Sequence, residues 1–345
     1  MNPLLFFTYL NQPWLQRAII SAFLTGIICS VIGTFVLLRG MVFLGEAIAH
    51  SAFAGAALGI LLGINPFWTI ILFSVGSAIG IGYVNEKKVM KDEIVIGIVF
   101  SFFMALAIFF IGLMNRYSTD INSILFGNVL SVSIENFLLL IVVSVALLIT
   151  LLVIRKELYF MTFDMEMAAV SGVPVRVLSY LFLIMVSLTV SVSLRAIGAI
   201  LVFAMIVTPA AAAYQWTFRL RPLLILSAVF GSGSGLLGLY ISFLLDMPSS
   251  SAIVILVTVI FSVSFLLSPK RRKTSSIIEC PYCGQTLTGT GKCPEVDCIF
   301  DDLPHVHDGE RITIDKSRLT DKPPSVHGHH QQEDQLDVEE SGRGE

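Results

Sequence analysis

The chain has 345 residues, 55% hydrophobic and 14% charged, with 22 Lys and Arg against 25 Asp and Glu and a mean hydropathy of +0.83. Soluble proteins carry about 25% charged residues, so this balance excludes an ordinary soluble domain over most of the length. The deficit is uneven: residues 14 to 268 form apolar blocks about 20 residues long, enough for a helix to cross a bilayer, whereas 270 to 345 are polar and rich in Asp, Glu, Pro, Gly and His.

The opening stretch MNPLLFFTYLNQPW lacks a basic run and a small-residue cleavage site, so it does not read as a cleaved signal. Apolar blocks at 14–38, 42–63, 66–84, 94–114 and 134–154 read as five spans, and the lone membrane cysteine, Cys29, reads as packing. Four more blocks follow at 177–194, 196–215, 222–245 and 249–268. The break near Arg195 is weak, so the sixth and seventh blocks are either separate spans or one irregular, re-entrant unit. Eight or nine helices are therefore expected. Arg195 itself reads as an interfacial anchor or as part of a pathway. Thr208 and Pro209 interrupt the seventh block, and such breaks are tolerated only where protein or water lines them. Asp246 falls at the outer mouth, as a solvated loop residue or a cation attractor.

Basic residues collect at alternate ends of these blocks: Arg39, EKKVMK (86–91), Arg155–Lys156, RLR (219–221) and KRRK (270–273). Basic loops stay in the cytoplasm, so one threading puts the N-terminus outside and the tail inside. In that threading the second span starts at the cytoplasmic face near residue 42. Its sequence, FLGEAIAHSAFAG (43–55), sets Glu46 and His50 one above the other on one helix face. At about 1.5 Å per residue, Glu46 lies roughly 6 Å deep and His50 roughly 12 Å deep.

An ionisable residue in a membrane helix costs a few kcal/mol or more and marks function by default. His50 is the sole histidine of the first 269 residues, and Ala47, Ala49, Ser51, Ala52, Ala54 and Gly55 around it suit close helix packing about a narrow path. A carboxylate and an imidazole on one face make half a coordination shell for Zn²⁺ or Mn²⁺. The alternative is an internal Glu–His hydrogen bond that fixes packing.

Other patterns carry less. GSGLLG (233–238) follows no strand and opens no βαβ unit, so it reads as a helix-packing face rather than a dinucleotide loop. TGTGKC (288–293) has Thr286 where a phosphate loop needs glycine and Cys293 where it needs Ser or Thr, so no ATPase is expected. No HExxH occurs, so an intramembrane zinc protease lacks its ligands. Between the fifth and sixth spans, FDMEMAAVSGVPVRV (163–177) is too polar to cross. Asp164 caps a short helix carrying Glu166, Met167, Ala168 and Val170, which Gly172 and Pro174 end. Its apolar face needs either a docking partner or the membrane surface.

Together and in this order, FLGEAIAHSAFAG, the FD-E-AA--GV segment and RAIGAILVFAMIVTPAAAA resemble the permease subunit of ABC importers for zinc, manganese or iron, over about residues 10 to 268. The resemblance implies a homodimeric core in the inner or plasma membrane of a prokaryote. Two separate ATPase subunits would drive it, and an extracytoplasmic metal-binding protein would feed it. It also implies a coupling helix at 163 to 174, with Asp164, Glu166, Ala168, Ala169 and Gly172 toward the ATPase, and a metal pathway through Glu46 and His50. Many manganese-type members carry Asp where this chain has Glu46, so the metal's identity stays open.

The expected fold is thus an all-α polytopic membrane protein, an ABC importer permease bundle of eight or nine helices over residues 1–269, with a small cytoplasmic tail at 270–345. Within the tail, Cys280, Cys283, Cys293 and Cys298 follow a C-x2-C-x9-C-x4-C pattern suited to one tetrahedral structural zinc (274–303), in a cytoplasmic setting that disfavours disulfides. A reduced, unstructured tail is the alternative. Residues 304–345 read as disordered and rich in His and acid. No catalytic residue, no cofactor in the permease domain and no nucleic-acid partner is expected. The rival functions are a secondary divalent-cation transporter without an ATPase, disfavoured by the missing coupling acids, and a membrane scaffold whose zinc tail does the work.

Overall fold

The structure, a computed structural model, describes residues 12–87, 90–114, 127 and 132–268. The four-cysteine and histidine-rich expectations for 270–345 lie outside these residues. Among the described residues are ten helices: α1 (Pro13–Leu38), α2 (Leu44–Leu62), α3 (Pro66–Glu86), α4 (Asp92–Gly112), α5 (Ile134–Phe163), α6 (Met165–Val170), α7 (Val175–Ile197), α8 (Ala199–Tyr214), α9 (Leu220–Leu245) and α10 (Ser249–Leu267). Eight are long and apolar enough to cross a membrane, and α8 is a shorter apolar helix. Their outward faces are apolar, with Ile98, Phe102, Phe109, Val142 and Val153 all more than half exposed, as lipid contact requires. The chain is a multi-pass membrane protein.

Two boundaries depart from the sequence expectation. Helix α5 continues nine residues past 154, through Arg155, Lys156 and Glu157. At 30 residues it is about 45 Å long, so one end projects beyond a core about 30 Å thick. The weak break falls at Gly198 rather than Arg195. Gly198 has φ 89° and ψ 160°, a backbone that L side chains rarely adopt, and it separates α7 from α8. Nor does Pro209 interrupt its block: α8 runs through it to Tyr214. The proline supplies no amide hydrogen for the carbonyl of Met205, and α8 packs against α1, α7, α9 and α10, a protein-lined setting that tolerates the defect.

Close approach of backbones organises the bundle. Helices α1 and α9 run antiparallel with Gly26 against Gly231 and Ala22 against Gly235; a Cβ on Gly26 would lie 2.7 Å from the Gly231 carbonyl oxygen. Ser227 Oγ donates to the Ser30 carbonyl at 2.8 Å across the same interface. The GSGLLG run therefore serves packing, through Gly235 on α1 and Gly238 on Ile253 of α10. Helix α2 is the centre: α3, α4, α7 and α8 surround it. Buried hydroxyls join these helices, with Ser51 and Ser77 at 2.8 Å across α2–α3 and Ser74 and Ser191 at 2.5 Å across α3–α7.

The antiparallel α1–α9 contact sets Arg219 and Arg221 level with the Arg39 end of α1. Ser268 Oγ donates to the Gln215 carbonyl at 3.0 Å, which brings the end of α10 beside the end of α8. Arg39, Glu86, Asp92, Met161 and Arg176 line one cavity. Arg39, Arg176, Arg219 and Arg221 thus gather at one end of the bundle. At the other, Arg195 lies over the Phe67 ring at 5.4 Å.

Candidate functional site

Glu46 and His50 enter the site on α2, whose first turns are built for close contact. The helix starts without a side-chain cap, and Glu46 in its first turn sets a carboxylate against the positive end of the helix dipole. Ala47, Ala49, Ser51, Ala52, Ala54 and Gly55 are all buried. At Gly45 an added Cβ would meet Ile206 Cδ1 of α8 at 3.2 Å. Small residues let the neighbouring helices close around α2, which leaves the two ionisable side chains half-buried.

His50 makes one ring contact, edge to face with Phe100 of α4, centroids 4.8 Å apart and planes at 82°. Its Nδ1 is buried and has no hydrogen-bond partner among the described residues. A buried polar atom without a partner costs about 1–3 kcal/mol, so it marks a place where a ligand, a second chain or a water would be favourable. The Glu–His hydrogen bond that would make the pair mere packing is not formed among the described residues. One helix face thus presents an oxygen donor and, one turn deeper, an unspent nitrogen donor. Among the described residues no three His, Cys, Asp or Glu side chains gather in one place. Phe100 escaped the sequence reading because nothing in the apolar α4 run distinguishes it.

The segment at 163–174 folds as a short capped helix. Asp164 Oδ1 accepts from the Met167 amide at 2.8 Å and caps α6. Its exit is a Schellman motif: the Gly172 amide donates to the Ala169 carbonyl at 3.2 Å and the Val173 amide to the Ala168 carbonyl at 3.1 Å. Gly172 has φ 84° and open space around it. Ala168 is fully buried against the bundle and anchors α6. The outward face is Met165, Met167 and Val170, the last 85% exposed, with Glu166, Ala169 and Gly172 also at the surface. Arg195 lies half-buried in the last turn of α7, over the Phe67 ring, which suits an anchor. Asp246 takes the left-handed conformation that caps α9.

Comparison with known proteins extends over the same residues. Residues 11–268 match the sequence pattern of the ABC 3 transport family. The chain is 39% identical over 258 residues to the manganese transport system membrane protein MntC of Listeria innocua, covering 75% of this chain and 92% of that protein. It is 37% identical over 260 residues to the manganese import system permease protein ScaB of Streptococcus parasanguinis, covering 75% and 92%. Among solved structures it resembles PsaBC from Streptococcus pneumoniae, determined in complex with Fab, with a TM-score of 0.69, 35% identity, and 77% of this chain and 96% of that one covered.

Proposed function

The chain belongs to the ABC 3 transport family, and from that premise we propose that it is the permease subunit through which an ATP-driven importer passes a divalent transition metal, manganese, into the cytoplasm. Glu46 and His50 of α2 are the ligands that replace water on the ion as it crosses. The observation that carries this reading is the buried Nδ1 of His50, without a hydrogen-bond partner among the described residues and one helical turn from Glu46. The relatives' names favour manganese, and a mixed oxygen–nitrogen donor set without thiolate suits a harder ion that must also be released.

A second copy of the chain, related by a twofold axis, brings its own Glu46 and His50 and raises the ligand count to four. ATP is hydrolysed on two separate ATPase subunits, and a metal-binding protein delivers the ion from outside. The basic end of the bundle is cytoplasmic, so α6 projects toward the ATPase with Met165, Met167, Val170 and Glu166 as its docking face, while Asp164 and Gly172 fix its entry and exit. The tail at 270–345 is then cytoplasmic, and its four cysteines hold one structural zinc. The test is radioactive manganese uptake into vesicles that contain the full chain with its ATPase and binding protein. ATP-dependent uptake in the wild type, abolished in His50→Ala and in Glu46→Gln with ATPase assembly intact, is the expected outcome. Uptake without the ATPase would instead favour the gradient-driven reading.

A further inference from the structure

We propose that the cavity at the Arg39 end of the bundle binds a phosphate-type oxyanion that also carries a hydroxyl group. The cavity measures about 540 Å³ and lies between the ends of α1, α3, α5 and α7. Arg39 is the C-terminal cap of α1 and is mostly buried. Its contacts are weak ones for a guanidinium: an NH2 group donates to the Met161 thioether at 3.2 Å, and the Phe182 ring lies 4.5 Å from its central carbon. Sulfur is a poor acceptor, and a guanidinium has five donors to place. Nε is buried with no partner among the described residues.

No carboxylate among the described residues comes within ion-pair distance of Arg39; Glu86 is engaged by Arg176, and it accepts from the Tyr180 hydroxyl at 3.1 Å. Asp92 also lines the cavity and is close enough to be felt. Burial pushes the guanidinium down to about 10, with Asp92 opposing the fall, so Arg39 stays cationic at neutral pH. A buried cation held on sulfur and an aromatic face lacks the charged acceptor that guanidinium groups bind most strongly.

A second orphan fixes the ligand's chemistry. Asn85 lines the same cavity, and its Oδ1 is buried and unpartnered among the described residues. It needs a donor, where Arg39 Nε needs an acceptor. Hydrogen phosphate supplies both, as does a phosphate diester with a neighbouring hydroxyl, the phosphoglycerol headgroup of a lipid. Bound there, the oxyanion ties the turn that leads into α2 to Thr162 and Met165 at the base of α6, since both also line the cavity.

The experiment uses the purified full chain in detergent without phosphate groups, and then in nanodiscs of phosphatidylglycerol or of phosphatidylcholine. Melting temperature is followed against added inorganic phosphate, and lipid retention is followed by native mass spectrometry. Saturable stabilisation by inorganic phosphate identifies a soluble source; selective retention of phosphatidylglycerol identifies the headgroup. Either result supports the site if Arg39→Gln weakens binding about tenfold and Arg155→Gln, on α5, does not. Asn85→Ala should weaken it too, which keeps the test open if Arg39→Gln fails to fold, and Asp92→Asn should strengthen it by removing a like charge. The proposal is overturned if neither probe binds the wild type saturably. It is also overturned if Asn85→Ala and Arg39→Gln bind like wild type, or if Asp92→Asn abolishes binding, because Arg39 would then be reserved for Asp92.

Discussion

Replacing Gly172 with valine tests how α6 transmits motion. Gly172 has φ 84°, and a Cβ there meets nothing within 4 Å. The penalty is therefore conformational and not a clash. A left-handed residue other than glycine costs about 1–2 kcal/mol, and β-branching makes valine a poor case. Helix α6 has six residues, too few to hold its shape unaided. Its carbonyls at Ala168 and Ala169 depend on the Schellman bonds from Val173 and Gly172. A loss of 1–2 kcal/mol lowers the population of the intact motif roughly 5–30-fold. The docking face of Met165, Met167 and Val170 is then rarely presented. In vesicles holding permease and ATPase, Gly172→Val should therefore hydrolyse ATP with manganese uptake reduced by about tenfold, while the melting temperature of the bundle stays near wild type. Gly172→Asn, which tolerates the left-handed region, should restore most of the coupling. A fully coupled Gly172→Val would refute the role assigned to this exit.

Gly26→Ala should destabilise the bundle by about 1–3 kcal/mol, because its methyl would sit 2.7 Å from the Gly231 carbonyl; an unchanged thermal melt in detergent would contradict the α1–α9 packing. Ser77→Ala removes the hydroxyl pair with Ser51 and should cost about 0.6 kcal/mol, visible in reversible unfolding and absent from uptake rates. The full chain should retain one zinc per protomer by elemental analysis and lose it in the Cys280→Ser, Cys283→Ser double variant, with uptake unaffected; a metal-free wild type would remove the tail site.

Much of this was legible in the sequence because it rests on local anomalies. A histidine inside an apolar run, one turn from a glutamate and flanked by small residues, is costly enough to declare itself, and α2 carries it as expected. The exit of α6 was legible because Gly172 and Pro174 each constrain the backbone on their own. What escaped depends on the third dimension. Arg195 drew the expected break three residues early, since a charge in an apolar run is conspicuous whereas the positive φ of Gly198 is silent. Arg155 and Lys156 looked like a loop, yet helices continue past a bilayer wherever packing permits, and α5 does. Ala168 could not be assigned inward because a six-residue helix has less than two turns of periodicity. Arg39 read only as a topological charge, since its cavity is assembled from helices far apart in the chain.

The claim that Glu46 and His50 hold the transported ion is tested most directly by pulsed electron paramagnetic resonance of Mn²⁺ bound to the purified full chain. Imidazole coordination places a ¹⁴N nucleus next to the metal, and that coupling should be present in the wild type and in Glu46→Gln at saturating manganese. It should vanish in His50→Ala, with the affinity for manganese lowered in both variants. A nitrogen coupling that survives His50→Ala, or none in the wild type with manganese bound, would contradict the account.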